Sequence, residues 1–260
     1  LIVITPLNDV HSIKAVALVL EFPSEVGAEG LSLVRDEAKR FRTKLNMRRV
    51  IRSLNIPFPG LESSDRVHEE ESGYHYFIRK PDGTEAKWFE VAGNRAVFCT
   101  NEYTDFNSFW AEAKYFLDIG CKAFGSSGAK AEKLTLEYRD EFTSPDIHWD
   151  PEELFSNRSE LLSMGAIKKS KYWHSHYGFF DELAGRDSLN LGKINHVRMA
   201  DSFDGTYFSQ VDITLTHGVA LAPGDELEPL VRSLKAVHKT HITDILSEKM
   251  LEAIGLRTGS

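Results

Sequence analysis

The sequence predicts an α+β protein in which long amphipathic helices pack on one face of antiparallel sheet. Three observations predict it. Strand-period segments come in runs joined by short turn signals: Pro81-Asp82-Gly83 and Gly93-Asn94 early in the chain, Asp204-Gly205 later. Each run of three strands leads into one long helix-period segment. No repeating strand–helix–strand rhythm is present, which argues against a doubly wound sheet or a barrel.

Each element follows from its local pattern. Residues 13–22, I-K-A-V-A-L-V-L-E-F, are apolar on both parities, as in a strand central to its sheet, and Pro23 and Gly27 end it. Leu31, Val34, Ala38, Phe41 and Leu45 recur at three and four residues and predict an amphipathic helix with a basic outer face. Residues 55–72, with Pro57, Pro59, Gly60 and the acidic run Glu69-Glu70-Glu71, are expected to form an exposed loop. Three meander strands then follow, through Tyr74–Arg79, Trp88-Phe89 and Ala96–Thr100. Thr104 or Asp105 is placed to cap a helix whose broad apolar face carries Phe106, Phe109, Trp110, Ala113, Phe116, Leu117 and Phe124. Leu134, Leu136 and Tyr138 alternate with Lys133, Thr135, Glu137 and Arg139, the pattern of a half-buried strand. Pro151 begins a short capped helix. Strands are expected over 173–181, 192–200 and 206–216, the last two a hairpin. One final helix is expected from about Leu227 to Ile254, with Leu230, Leu234, Val237, His241 and Ile245 as its inner stripe.

The organisation expected is two successive sheet-plus-long-helix units, residues 1–142 and 143–260, closely packed, with their sheets side by side or joined into one. A chain of 260 residues is long enough to bury a core without staples. A hydrophobic fraction of 42%, with 16 Phe and 8 Tyr, argues against disorder. Lys plus Arg is 31 and Asp plus Glu 39, so the formal charge is 31 − 39 = −8, which does not favour nucleic acid as the default partner. Two cysteines, Cys99 and Cys121, are too few for a thiolate zinc site, read as buried small hydrophobes, and suit a reducing, cytoplasmic compartment. No apolar run approaches the roughly 20 residues of a membrane span.

A family resemblance spans nearly the whole chain. It rests on the opening P-L-N-D-V, the strand ending Glu21-Phe22, the segment W-F-E-V-A-G-N-R-A-V-F-C-T-N-E-Y, the spaced rings Tyr103, Phe106 and Phe109, the strand L-T-L-E-Y-R-D-E-F, and the closing S-E-K-M-L-E-A-I-G-L. In order and spacing these resemble a sporadically distributed bacterial family of unknown function with chains of about 250 residues. The chain departs at Glu141, where the family usually shows a basic residue. The resemblance implies architecture and no established activity, and it is compatible with a component of a larger system.

Two features carry chemistry. The segment K-Y-W-H-S-H-Y-G-F-F, residues 171–180, sets His174 and His176 two apart, so on a strand they share a face. With a carboxylate such as Asp181, Glu182 or Asp212 they would make a metal site, and a metal-dependent hydrolase acting on nucleic acid or another phosphoester is the enzyme alternative. The other feature is charge. Arg35, Lys39, Arg42, Arg48 and Arg49 lie in the most basic stretch of the chain, and Lys168, Lys169 and Lys171 adjoin Tyr172 and Trp173. Such cations follow phosphates and such rings stack on bases, so nucleic-acid binding is the other alternative. Every enzyme reading lacks a required partner: no G-x-S-x-G elbow, no glycine-rich phosphate loop and no H-E-x-x-H are present. The expectation is therefore a non-enzymatic binding or assembly component, using these cations and rings on another protein or a second copy, without a cofactor and away from membranes.

Overall fold

The computed structural model describes residues 4–7, 11–55, 68–146, 148–169, 172–200 and 205–256. The α+β expectation holds. Ten strands form one antiparallel sheet that does not close into a barrel. In chain order the elements are β1 Thr5–Pro6, β2 Ile13–Glu21, α1 Ala28–Phe41, β3 Met47–Asn55, β4 His68–Arg79, β5 Glu85–Ala92, β6 Arg95–Thr100, α2 Phe106–Gly125, β7 Lys133–Ser144, α3 Pro151–Leu154, α4 Met164–Ile167, β8 Trp173–Leu183, β9 Arg186–Ala200, β10 Tyr207–Ala220, α5 Leu227–Ile245 and α6 Glu248–Ala253. The chain divides into two compact units. One, the α1–α2 unit, runs from Ala17 to Leu134 with Leu221–Pro223; the other, the α5 unit, takes the chain up to Val16, Thr135–Ala220 and the chain from Gly224.

In the α1–α2 unit the strand order is β3-β4-β5-β6-β2. Alternation sends Tyr74, Tyr76, Phe89, Val91, Ala96 and Phe98 to the helix side, all buried. Phe116 of α2 meets Phe98 in a stack and Phe41 and Phe89 at an angle. Asp105, not Thr104, caps α2, its carboxylate accepting from the amides of Asn107 and Ser108. Gly30 of α1 lies so close to α2 that a Cβ there would sit 2.3 Å from the Ala123 carbonyl oxygen.

In the α5 unit the order is β7-β10-β9-β8, with β1 beside β7. Val211, Ile213 and Leu215 of β10 and Ile194 of β9 meet Ile242 and Ile245 of α5, and Trp149, Leu154, Phe155 and Met250 close the same core. Asp150 caps α3 and Pro151 opens it, as the sequence predicts.

Four expectations need correction. Residues 47–55 form strand β3, where the basic run had suggested only a helix. The acidic run Glu69–Glu71 lies in β4, not in a loop; Glu69, Glu70 and Glu71 stand opposite Leu54, Ser53 and Arg52 in the β3–β4 ladder. The closing helix is two helices: α5 stops at Ile245, Ser247 caps α6 by accepting from the Met250 amide, and Leu246 bridges Phe155. On α5 it is His238 that is buried, while His241 is half-buried. Residues 56–67 and Asp204 lie outside the described residues.

Candidate functional site

Strand β8 contains the ring-rich segment, and its two faces do different work. All eleven residues from Trp173 to Leu183 pair with β9 in unbroken register. The helix-side residues are Trp173, Ser175, Tyr177 and Phe179. Trp173 packs edge-on to Phe155, Tyr177 stacks with Phe179, and Phe179 meets His241. The open face carries His174, His176, Gly178 and Phe180. Phe180 is 80% exposed, the largest exposure among the described large apolar side chains. Leu191 stands across from Gly178 and is itself exposed. Beyond β9, no strand pairs with β8 among the described residues, which leaves the main-chain groups of that edge open to a further strand, apart from the Glu182 amide, which donates to Asp181 Oδ1.

His174 and His176 do share the open face, their ring centroids 5.5 Å apart and edge to face. They stand opposite Asn195 and Lys193. The three carboxylates named as partners for a metal site are placed elsewhere. Asp181 lies on the opposite face of the strand, Glu182 is at its far end, and Asp212 accepts from Arg139 at 2.9 Å and from Gln210 at 3.0 Å. Among the described residues no group of three or more His, Cys, Asp or Glu side chains is placed to hold a metal ion.

The predicted cations fall into separate groups. Arg35, Lys39 and Arg42 share one stripe of the α1 segment, at intervals of four and three, and with Arg48 of β3 they line one cleft in the α1–α2 unit. Arg48 stands directly opposite Tyr76 and lies over the Tyr74 ring. Arg49 points to the other side of the sheet, over Phe77 and 3.5 Å from Glu85. In the α5 unit, Lys168 pairs with Glu152 and donates to Asn157, Lys169 is exposed, and Tyr172 lies near His196. Lys171 lies outside the described residues.

No protein-family model matches this chain, and no curated protein matches it.

Two polar clusters carry no sequence motif. On the open face of the α1–α2 unit, His75 stands between two carboxylates, its Nδ1 3.0 Å from Glu90 and its Nε2 2.9 Å from Glu85. Burial lowers its affinity for a proton, but the two carboxylates prevail and its pKa lies above the ordinary value. Under α5, His217, His238 and His241 gather, with His217 Nδ1 2.8 Å from the Asn190 Oδ1 and His238 stacked on Tyr138. Burial pushes His217 down to about 3 and His238 well below the usual range, so both are neutral. His75 was recoverable from strand pairing alone, because Glu90 is its cross-strand partner. Of the other three, His238 and His241 are three apart on α5 and legible as a pair, but no local spacing joins them to His217 of β10.

Cys99 is buried, while Cys121, expected to be buried, is half-exposed, with burial pushing its pKa up to about 11. That makes Cys121 a poor nucleophile. No helix among the described residues is long and apolar enough to cross a membrane.

Proposed function

We propose that this protein is a non-enzymatic assembly component that joins a second copy of itself through the outer edge of β8. A content of two cysteines suits a reducing compartment such as the cytoplasm. The observation that carries the reading is the contrast between the two edge strands. Edge strands of monomers are normally blunted by cations, proline or a bulge. Strand β3 has such protection: Arg48, Arg49 and Arg52 interrupt it, and its register breaks between Ile51 and Arg52. Strand β8 has none. It has no Lys, Arg or Pro over eleven residues, no break in register, and Phe180 standing in water.

Side-chain complementarity favours a second copy as the occupant. In an antiparallel pair about Gly178, His174 stands opposite Glu182 and His176 opposite Phe180. On the other face Tyr177 stands opposite Phe179. A two-fold interface must be self-complementary, and this strand is. Main-chain hydrogen bonds then supply affinity and the alternating side chains supply register.

Light scattering across a dilution series tests it. The wild type is expected at twice the chain mass at tens of micromolar and to dissociate on dilution. His176→Lys/Phe180→Lys sets lysine against lysine twice across the two-fold axis and is expected to be monomeric with an unchanged melting temperature. A wild-type monomer at every concentration would overturn the proposal.

A further inference from the structure

We infer that the α1–α2 unit binds a phosphate-bearing small molecule in the cleft between the C-terminal part of α1 and the start of β3. The cleft holds about 400 Å³, enough for a nucleotide-sized ligand. Arg35, Lys39, Arg42 and Arg48 line it, and among the described residues no Asp or Glu does. Four cations around one space, in a chain of net charge −8, are a local reversal of sign that an anion would balance. Lys39 also pairs with Asp36, and Arg35 donates to the Ser32 hydroxyl, but both contacts lie at the surface. The three arginines offer forked donors suited to phosphate oxygens.

The floor of the cleft holds one of these cations in place. Tyr76 lines it, is 4% exposed, and stands directly opposite Arg48 in the β3–β4 ladder, with the Arg48 guanidinium beside its hydroxyl. Arg48 also lies over the Tyr74 ring, so its forked donors are held at the cleft.

The cleft suits a small ligand better than a nucleic-acid strand. A strand needs a continuous cationic track, yet Arg49, next in the basic run, leaves for the other face of the sheet and meets Glu85. The adjoining hollow, which shares Arg35, is lined by Glu25, Glu70 and Glu71, so the positive field stops there.

Calorimetric titration of the full chain with inorganic pyrophosphate and with ADP tests the site. Binding of both is expected. Arg42→Gln/Arg48→Gln should weaken it by about 10-fold or more, at unchanged melting temperature. Arg42→Gln alone, at an exposed position, serves if the double variant fails to fold. Absence of heat with both probes up to about 5 mM, or equal binding by wild type and variants, would overturn the inference. So would tighter binding of a single-stranded DNA oligonucleotide than of ADP with a steep salt dependence, which would favour a nucleic-acid surface instead.

Discussion

Tyr177 lays its ring over Gly192, its cross-strand partner in β9. A Cβ at residue 192 would stand 2.1 Å from the Tyr177 Cζ atom. The ring thus replaces the side chain that glycine lacks, and it holds the middle of β8 flat against β9 on the helix side. Gly192→Ala should therefore destabilise by about 1–3 kcal/mol through overpacking, read as a lower urea midpoint at unchanged slope. Tyr177→Phe is the control. Its hydroxyl is buried without a hydrogen-bond partner, so its removal should be neutral or should stabilise by about 1 kcal/mol.

Asp140 predicts a stability that depends on pH. The side chain is 1% exposed and holds one partner, the Ser12 hydroxyl at 2.6 Å, while its other oxygen has none. Burial raises its pKa from 3.8 to about 6. The native state therefore holds this proton between those values while the unfolded chain releases it, and stability falls as pH rises through the window. Asp140→Asn should raise the melting temperature at pH 7.5, by up to about 3 kcal/mol of stability, and should add nothing near pH 3.5. An equal effect at both pH values would mean that the carboxylate is not what limits the native state.

His75 and the α5 histidines should pull stability in opposite directions. The pKa of His75 is raised, so its contribution is complete below about 6.5 and is lost as pH rises through its folded value. His75→Gln should accordingly cost most at pH 6 and least at pH 8.5. His217 and His238 are lowered, so below about 6.5 the unfolded chain takes protons that the native state refuses. Thermal melts of the His75→Gln protein should show stability dropping between pH 7 and 5 more steeply than in the wild type.

Gly30 marks the close approach of α1 and α2. Gly30→Ala would drive a methyl group against the Ala123 carbonyl, a backbone atom that cannot rotate away. A loss of about 1–3 kcal/mol is expected, read by thermal melting. The same variant should leave β8-mediated association intact wherever the protein remains folded.

What the sequence made legible follows from how each face is used. Leu134, Leu136 and Tyr138 alternate with polar residues because one side of β7 faces a core and the other carries a polar lattice, so strand and face could be read together. Strand β3 hid behind Arg48, Arg49 and Arg52: an edge strand bearing charge on both faces has no apolar alternation to display. The exposed face of β8 hid for the opposite reason. Rings occur on both parities, with Trp173, Tyr177 and Phe179 on one and His174, His176 and Phe180 on the other, so periodicity does not say which is buried. The α1 cations were visible as a group, but their convergence with Tyr76 depends on the β3–β4 register, which no local pattern sets.

Hydrogen exchange along β8 at several protein concentrations tests the central claim most directly. If two copies pair through this edge, amides between Trp173 and Leu183 that face away from β9 become protected at high concentration and lose that protection on dilution, and His176→Lys/Phe180→Lys abolishes it. Fast exchange of those same amides at every concentration, in wild type and variant alike, would contradict it.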